Sequence, residues 1–119
     1  MSLENVISFI SKCRINAVVE KQAQADIEAK LDDSNFKFER EYRLSERDIV
    51  DFVVHTDTGL IAIELKIKAQ RMSIYRQLCR YAKHDEVAAV VLLTGTAMNL
   101  PALIENKPAA VISLGEAWL

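Results

Sequence analysis

Two apolar, β-rich runs, IVDFVVH (Ile49 to His55) and LIAIELKI (Leu60 to Ile67), are separated only by Thr56, Asp57, Thr58 and Gly59, and each carries an acid inside it. Runs of this composition joined by so short a polar turn form a β-hairpin. A turn of two residues (Asp57, Thr58) or of four (Thr56 to Gly59) sets Asp51 opposite Glu64 in either case, whereas three would shift the pairing by one. Opposed residues share a sheet face with Cβ atoms about 5 Å apart. Lys66, two positions beyond Glu64, falls on that face as well. The other face takes Phe52, Val54, Ile61, Ile63 and Leu65, so the charges sit within a well-specified strand pair.

The remainder of the chain supplies what such a hairpin needs to bury its apolar face. Leu3 to Leu31 lacks Gly and Pro and reads as helix, interrupted near Arg14 to Asn16. Asp32 to Asn35 end it, and Phe36 to Leu44 alternates apolar and charged residues as a strand with one wet face. Met72 to His84 places Ile74, Leu78, Tyr81 and Ala82 at helical spacing, and Val87 to Thr94 reads as a strand covered on both faces. Leu100 to Glu105 reads as a short helix and Ala109 to Leu114 as a last strand. The 119 residues suffice for one core, so the expectation is a single α/β domain over residues 1–119 with a mixed sheet flanked by helices.

Composition removes several classes of function. Half the residues are apolar and only three are Gly and two Pro, which excludes a disordered or low-complexity chain. Those glycines, at 59, 95 and 115, build neither a P-loop nor a GxGxxG cradle, and GxSxG and HExxH are absent. Cys13 and Cys79 are far apart and there are two histidines, so a zinc site is not expected and both thiols should be reduced. Met1 to Lys12 reads as helix and not as a signal peptide, and no run is long enough to span a bilayer, so the expectation is a cytoplasmic protein without membrane contact.

Two carboxylates opposed across a ladder repel unless a positive charge lies between them. Oxygen ligands without Cys or His select a hard divalent ion, Mg²⁺ or Mn²⁺, which keeps waters and binds phosphate oxygens. Lys66 beside it would orient or deprotonate an attacking water, or neutralise charge on a phosphate. Phosphodiester hydrolysis is the chemistry such a set suggests. The competing reading makes Asp51 a strand cap and Glu64 with Lys66 a surface ion pair.

Glu20 projects in the stripe of Cys13, Ala23, Ile27 and Leu31, where an unpaired carboxylate needs a donor or cation. It would serve as a third metal-site acid, or else snorkel to water from the edge of the stripe. Gln24 follows one turn later, and Glu28 and Glu41 compete more weakly for the role. From Leu65 through His84 lie six of the fifteen basic residues, Lys66, Lys68, Arg71, Arg76, Arg80 and Lys83, and none of the seventeen acids. The net charge of −2 therefore hides a basic segment beside the acidic hairpin, as a polyanionic substrate requires. Gln77 and Tyr81, one turn apart, can bridge to a phosphate or stack on a base, although Tyr81 also suits core packing.

Asp51, Glu64-Leu65-Lys66 after a hairpin, and Gln77-Leu-Cys-Arg-Tyr81 on the next helix, with Glu20 on the first, resemble the PD-(D/E)XK nuclease superfamily. The QxxxY element is similar to that of its RecB-type branch. The resemblance spans Glu20 to about Thr94 in the order αβββαβ, with Val50 standing where the motif has proline. It implies a restriction-endonuclease-like fold and a metal-dependent deoxyribonuclease in which Asp51, Glu64 and the Leu65 carbonyl bind metal and Lys66 is the catalytic lysine. It implies further that Glu20 is the helix carboxylate and that Gln77 and Tyr81 orient DNA. The alternative is a catalytically inactive nucleic-acid-binding or protein-interaction module on the same fold. So short a chain leaves little surface to grip a duplex, so a homo-oligomer is expected, with Trp118-Leu119 either a contact in it or, as the simpler reading has it, an apolar end tucked into the core, and a targeting partner would be a separate protein.

Overall fold

The computed structural model describes residues 2–68 and 70–114; Trp118 and Leu119 lie outside them. The chain runs α1 (Leu3–Ser11), α2 (Glu20–Asp32), β1 (Phe38–Arg43), β2 (Ile49–Thr56), β3 (Gly59–Lys66), α3 (Arg71–Ala82), β4 (Val87–Thr94), β5 (Leu103–Ile104) and β6 (Lys107–Ser113). The strands lie in the order β1-β2-β3-β4-β6-β5. Pairs β1/β2, β2/β3 and β5/β6 are antiparallel, whereas β3/β4 and β4/β6 are parallel, so the sheet is mixed.

Each face of the sheet is covered by helix. Val6 and Ile10 of α1 and Ala23, Ile27 and Leu31 of α2 pack on Phe52, Val54, Ile61, Ile63 and Leu65. On the other face Ile74, Leu78, Tyr81 and Ala82 of α3 pack on Val50, Val53, Leu60, Ala62, Val90 and Leu92. Among the described residues no helix is long and apolar enough to cross a membrane, and Cys13 and Cys79 are both free thiols.

The first helical stretch is two helices, and the break is wider than the sequence suggests. Asn16 explains it: its side-chain oxygen accepts from the N–H groups of Val18 (2.8 Å) and Val19 (2.9 Å), and its own N–H donates to Asp26 Oδ2 (2.9 Å). These bonds hold the backbone outside helical geometry. Cys13 is consequently not on α2 and belongs to no stripe with Ala23. The expected short helix at Leu100 to Glu105 is absent. Ile104 pairs with Lys107 around a two-residue turn in which Glu105 (φ 51°) and Asn106 (φ 64°) are both left-handed. That conformation makes a tight hairpin and cannot continue a helix.

The hairpin register is the one read from the turn, with Phe52 opposite Ile63 and Thr56 opposite Gly59. Gly59 adopts φ +137°, and a Cβ there would stand 2.8 Å from the Glu86 carbonyl oxygen.

Candidate active site

The site forms where β2 and β3 part company. Their ladder ends at Phe52 and Ile63; beyond that point Glu64, Leu65 and Lys66 pair with Leu92, Leu93 and Thr94 of β4, while Val50 pairs with Tyr42 of β1. At such a fork the facing backbone N–H groups lose their carbonyl partners. The two acids take them instead: Asp51 Oδ2 accepts from the Leu65 N–H (2.9 Å), and Glu64 Oε1 accepts from the Asp51 N–H (3.2 Å). Each carboxylate is thus anchored by the other strand.

Strand alternation breaks at the same place. Val50 and Phe52 should share a face, yet Val50 packs under α3 and Phe52 under α1 and α2. The β1/β2 register would put Glu41 opposite Asp51; that pair is missing from the ladder, and Glu41 has φ +48°. A left-handed residue inside a strand twists it locally, as a bulge does, and re-aims the neighbouring side chain.

Glu64 is only 2% exposed. Burial, reinforced by the charge of Asp51, pushes its carboxyl up to about 7 against the opposing pull of Lys66. Lys66 Nζ lies 3.4 Å from Glu64 Oε2. Burial also raises Asp51, with the Leu65 N–H, Lys66 and Arg40 opposing and the charge of Glu20 adding to the rise. No protein hydrogen bond reaches Asp51 Oδ1 among the described residues.

Glu20 is the first residue of α2 and is exposed, so the expectation of a carboxylate within the apolar stripe is corrected: the helix begins there, and Glu20 sits at its open end. It still faces the site, accepting a long bond from the Ile67 N–H (3.4 Å). Glu20, Lys66, Lys68, Ser73, Ile74, Gln77 and Arg80 line a cleft of about 420 Å³. A wider cleft of about 690 Å³, with Lys12, Arg14 and Lys30 at its rim, lies by α1 and holds no paired acids. Among the described residues no three Asp, Glu, His or Cys side chains are grouped closely enough to cage an ion by themselves.

Tyr81 is 1% exposed and therefore offers no ring to a base; the stacking role is corrected to the packing one. Its hydroxyl donates to the Ile49 carbonyl (2.9 Å) and lies 3.3 Å from Glu64 Oε1. Burial and the charges of Glu64 and Asp51 keep the phenol protonated, hence a permanent donor beside Glu64. Of the basic residues in this segment, Lys68, Arg71, Arg76 and Lys83 are exposed. Arg71 donates through Nε to the Ala97 carbonyl (3.1 Å). Arg80 is committed to Asp48 at 3.1 Å and is not a free phosphate ligand, because Asp48 is buried and needs the charge.

Two contributors fall outside the set expected from the sequence. Arg40 donates to Gln24 (2.9 Å) and Glu28 (3.3 Å) on α2 and stacks 5.4 Å above the Phe52 ring, tying the helix that bears Glu20 to the strand beside Asp51. Asp48 accepts from both Arg80 and His84 (3.0 Å) and so fixes α3, with Gln77 and Tyr81, to the start of β2. Alternation in β1 marks Arg40 as inward-facing; nothing local marks Asp48.

Known proteins bear on the fold alone. A solved structure of the small subunit of the heterodimeric restriction endonuclease R.BspD6I is similar to this chain, with a TM-score of 0.51 and 13% identity over 94% of this chain and 73% of the other. The fold is thus restriction-endonuclease-like. No protein-family profile and no curated protein matches the sequence.

Proposed function

We propose that the chain is a metal-dependent deoxyribonuclease hydrolysing DNA phosphodiester bonds, of the RecB-type branch with Gln77 and Tyr81 as its QxxxY element. The observation carrying this reading is the fork, at which Asp51 and buried Glu64 stand together with Lys66 3.4 Å from Glu64. Two acids gathered in low dielectric are relieved either by a proton on one of them or by a counterion, and an ion between Asp51 and Glu64 would do so with both ionised. The donors fit Mg²⁺ or Mn²⁺: two carboxylates, the Leu65 carbonyl and, at the cleft edge, Glu20, with remaining positions left to waters and phosphate oxygens. Such an ion supplies charge neutralisation at the phosphate and acidifies the attacking water.

The chain's own residues do the rest. Lys66 holds a proton next to the reacting phosphate and neutralises charge there. Gln77 orients a water or phosphate oxygen from the cleft wall, and Tyr81 holds Glu64 in place. Lys68 and Arg76 bind flanking phosphates, with Arg71 at the periphery.

A partner-dependent or inactive module is the second reading. It is favoured by the lack of a third grouped carboxylate among the described residues, and the similar structure is itself a subunit of a heterodimer. A second copy or another subunit would then extend the DNA surface.

Purified protein incubated with linear, circular and branched DNA, with and without Mg²⁺ or Mn²⁺, tests the reading. Metal-dependent cutting is expected, reduced about a hundredfold or more in Asp51→Asn and Lys66→Ala with circular dichroism unchanged. Binding without cutting on every substrate supports the module instead.

A further inference from the structure

Val18 and Val19 are exposed where an apolar residue has least reason to be. Val18 is 82% and Val19 52% exposed, and they are consecutive, whereas Ile49, Met72 and Leu103 are exposed singly. Single exposed apolar residues need no explanation, but a displayed pair beside a charged cleft does. The display is built: Asn16 Oδ1 accepts from both valine N–H groups, and Asn16 is tied to Asp26, which Gln22 holds in turn (2.9 Å). Val18 lines a cleft of about 190 Å³ with Glu20, Ile67 and Lys68. Glu20 and Lys68 also line the larger cleft beside Lys66, so the valines flank the mouth of the candidate site.

We infer that Val18 and Val19 form an apolar wedge that packs against an unstacked base beside the phosphate held at the site, and so select DNA whose bases are unpaired there. The inference deepens the nuclease reading and rests on nucleic acid crossing that cleft. In a continuous duplex the base faces cover one another, and an aliphatic side chain gains contact only where a step is opened. Lys66 and Lys68 supply the phosphate attraction that brings a strand past the valines. A protein partner would need a broader apolar surface than two side chains among charged neighbours.

The test is fluorescence anisotropy with the full chain in EDTA, using one labelled sequence as single strand, as flap and as continuous duplex. Tighter binding of the open forms than of duplex, by about tenfold, is expected, falling to less than about threefold in Val18→Ser/Val19→Ser. Asn16→Ala, which frees the loop, is expected to lose part of the preference. Equal binding of all three forms by the unaltered protein, or a preference that survives in the double variant, overturns the wedge. Valine-dependent dimerisation in sedimentation, without a DNA effect, overturns it too. Adding Mg²⁺ separates the two ideas: a valine-dependent preference without cutting supports the wedge and defeats the nuclease, whereas cutting indifferent to the valines defeats the wedge alone.

Discussion

Replacing Glu64 by Gln asks whether the acid pair is held for its charge or for its contacts. The carboxyl sits at about 7 against an ordinary 4.5. At 1.36 kcal/mol per unit, carrying the ionised form in the fold costs about 3 kcal/mol. The sign follows from proton linkage. The folded state binds the proton more tightly than the unfolded one, so this group's contribution is fully present below about 4.5, declines as pH rises through about 7, and is flat above. Gln keeps the oxygen that accepts from the Asp51 N–H and lies beside the Tyr81 hydroxyl, and never ionises. The pull of Lys66, which Gln also forgoes, is already contained in that value. The metal-free variant should therefore be more stable than the natural chain by about 3 kcal/mol near pH 9 and nearly equal to it near pH 4.5. Urea denaturation at the two pH values in EDTA measures this. Adding Mg²⁺ should then stabilise the natural chain and leave the variant unmoved, since only an ion bound to the folded state shifts the midpoint. A variant less stable than the natural chain at alkaline pH would refute the reasoning. The Lys66 pair would then outweigh burial, and no ion would be needed to keep the acids together.

Gly59→Ala forces a Cβ to within 2.8 Å of the Glu86 carbonyl at φ +137°, and a loss of about 2 kcal/mol is expected in a denaturant titration; an unchanged midpoint would contradict the close approach of the turn to the α3–β4 connection. Asp48→Asn removes the partner of Arg80 and His84. Burial works to raise Asp48, but the hydrogen bonds and charges of His84 and Arg80 outweigh it and hold the carboxyl below its ordinary 3.8. Its stabilisation is present above that value and vanishes as pH falls through the lower folded one. The variant should lose about 2 kcal/mol at neutral pH and show a shallower acid limb, read by fluorescence from pH 6 to about 2. Glu105→Asn with Asn106→Gly suits the left-handed turn and should gain about 1 kcal/mol in the same denaturation assay.

What was legible in the sequence is what periodicity and turn chemistry determine locally. IVDFVVH and LIAIELKI pair around Asp57 and Thr58 in the register that a two- or four-residue turn sets, and the spacing of Ile74, Leu78, Tyr81 and Ala82 made α3 legible. Illegible features depend on neighbours distant in sequence. Glu41 carries no glycine signal for its left-handed backbone, so the twist that sends Val50 and Phe52 to opposite faces could not be read. The start of α2 depends on a side-chain bond from Asn16 to the backbone, and placing it wrongly put Glu20 inside the stripe when it stands at its end. Glu105-Asn106 lacks the glycine that usually announces a two-residue turn, and its hairpin therefore looked like a helix.

The fork explains why acids can be gathered in this sheet at all. Within a continuous ladder the N–H groups of Asp51 and Leu65 would be spent on carbonyls of the opposite strand, and two carboxylates between apolar layers would have only each other. Because β2 turns toward β1 and β3 toward β4, those N–H groups become donors aimed into the gap, and each fixes one oxygen. Of the remaining oxygens, Glu64 Oε2 faces Lys66 and Asp51 Oδ1 has no protein hydrogen bond among the described residues. One lysine, itself partly exposed, does not neutralise two acids. The charge imbalance is thus a consequence of topology, concentrated where Gln77 and Lys68 form the wall. It makes the strand divergence, and not the Glu-x-Lys spacing taken alone, the feature on which the proposed binding of a cation and a phosphate rests.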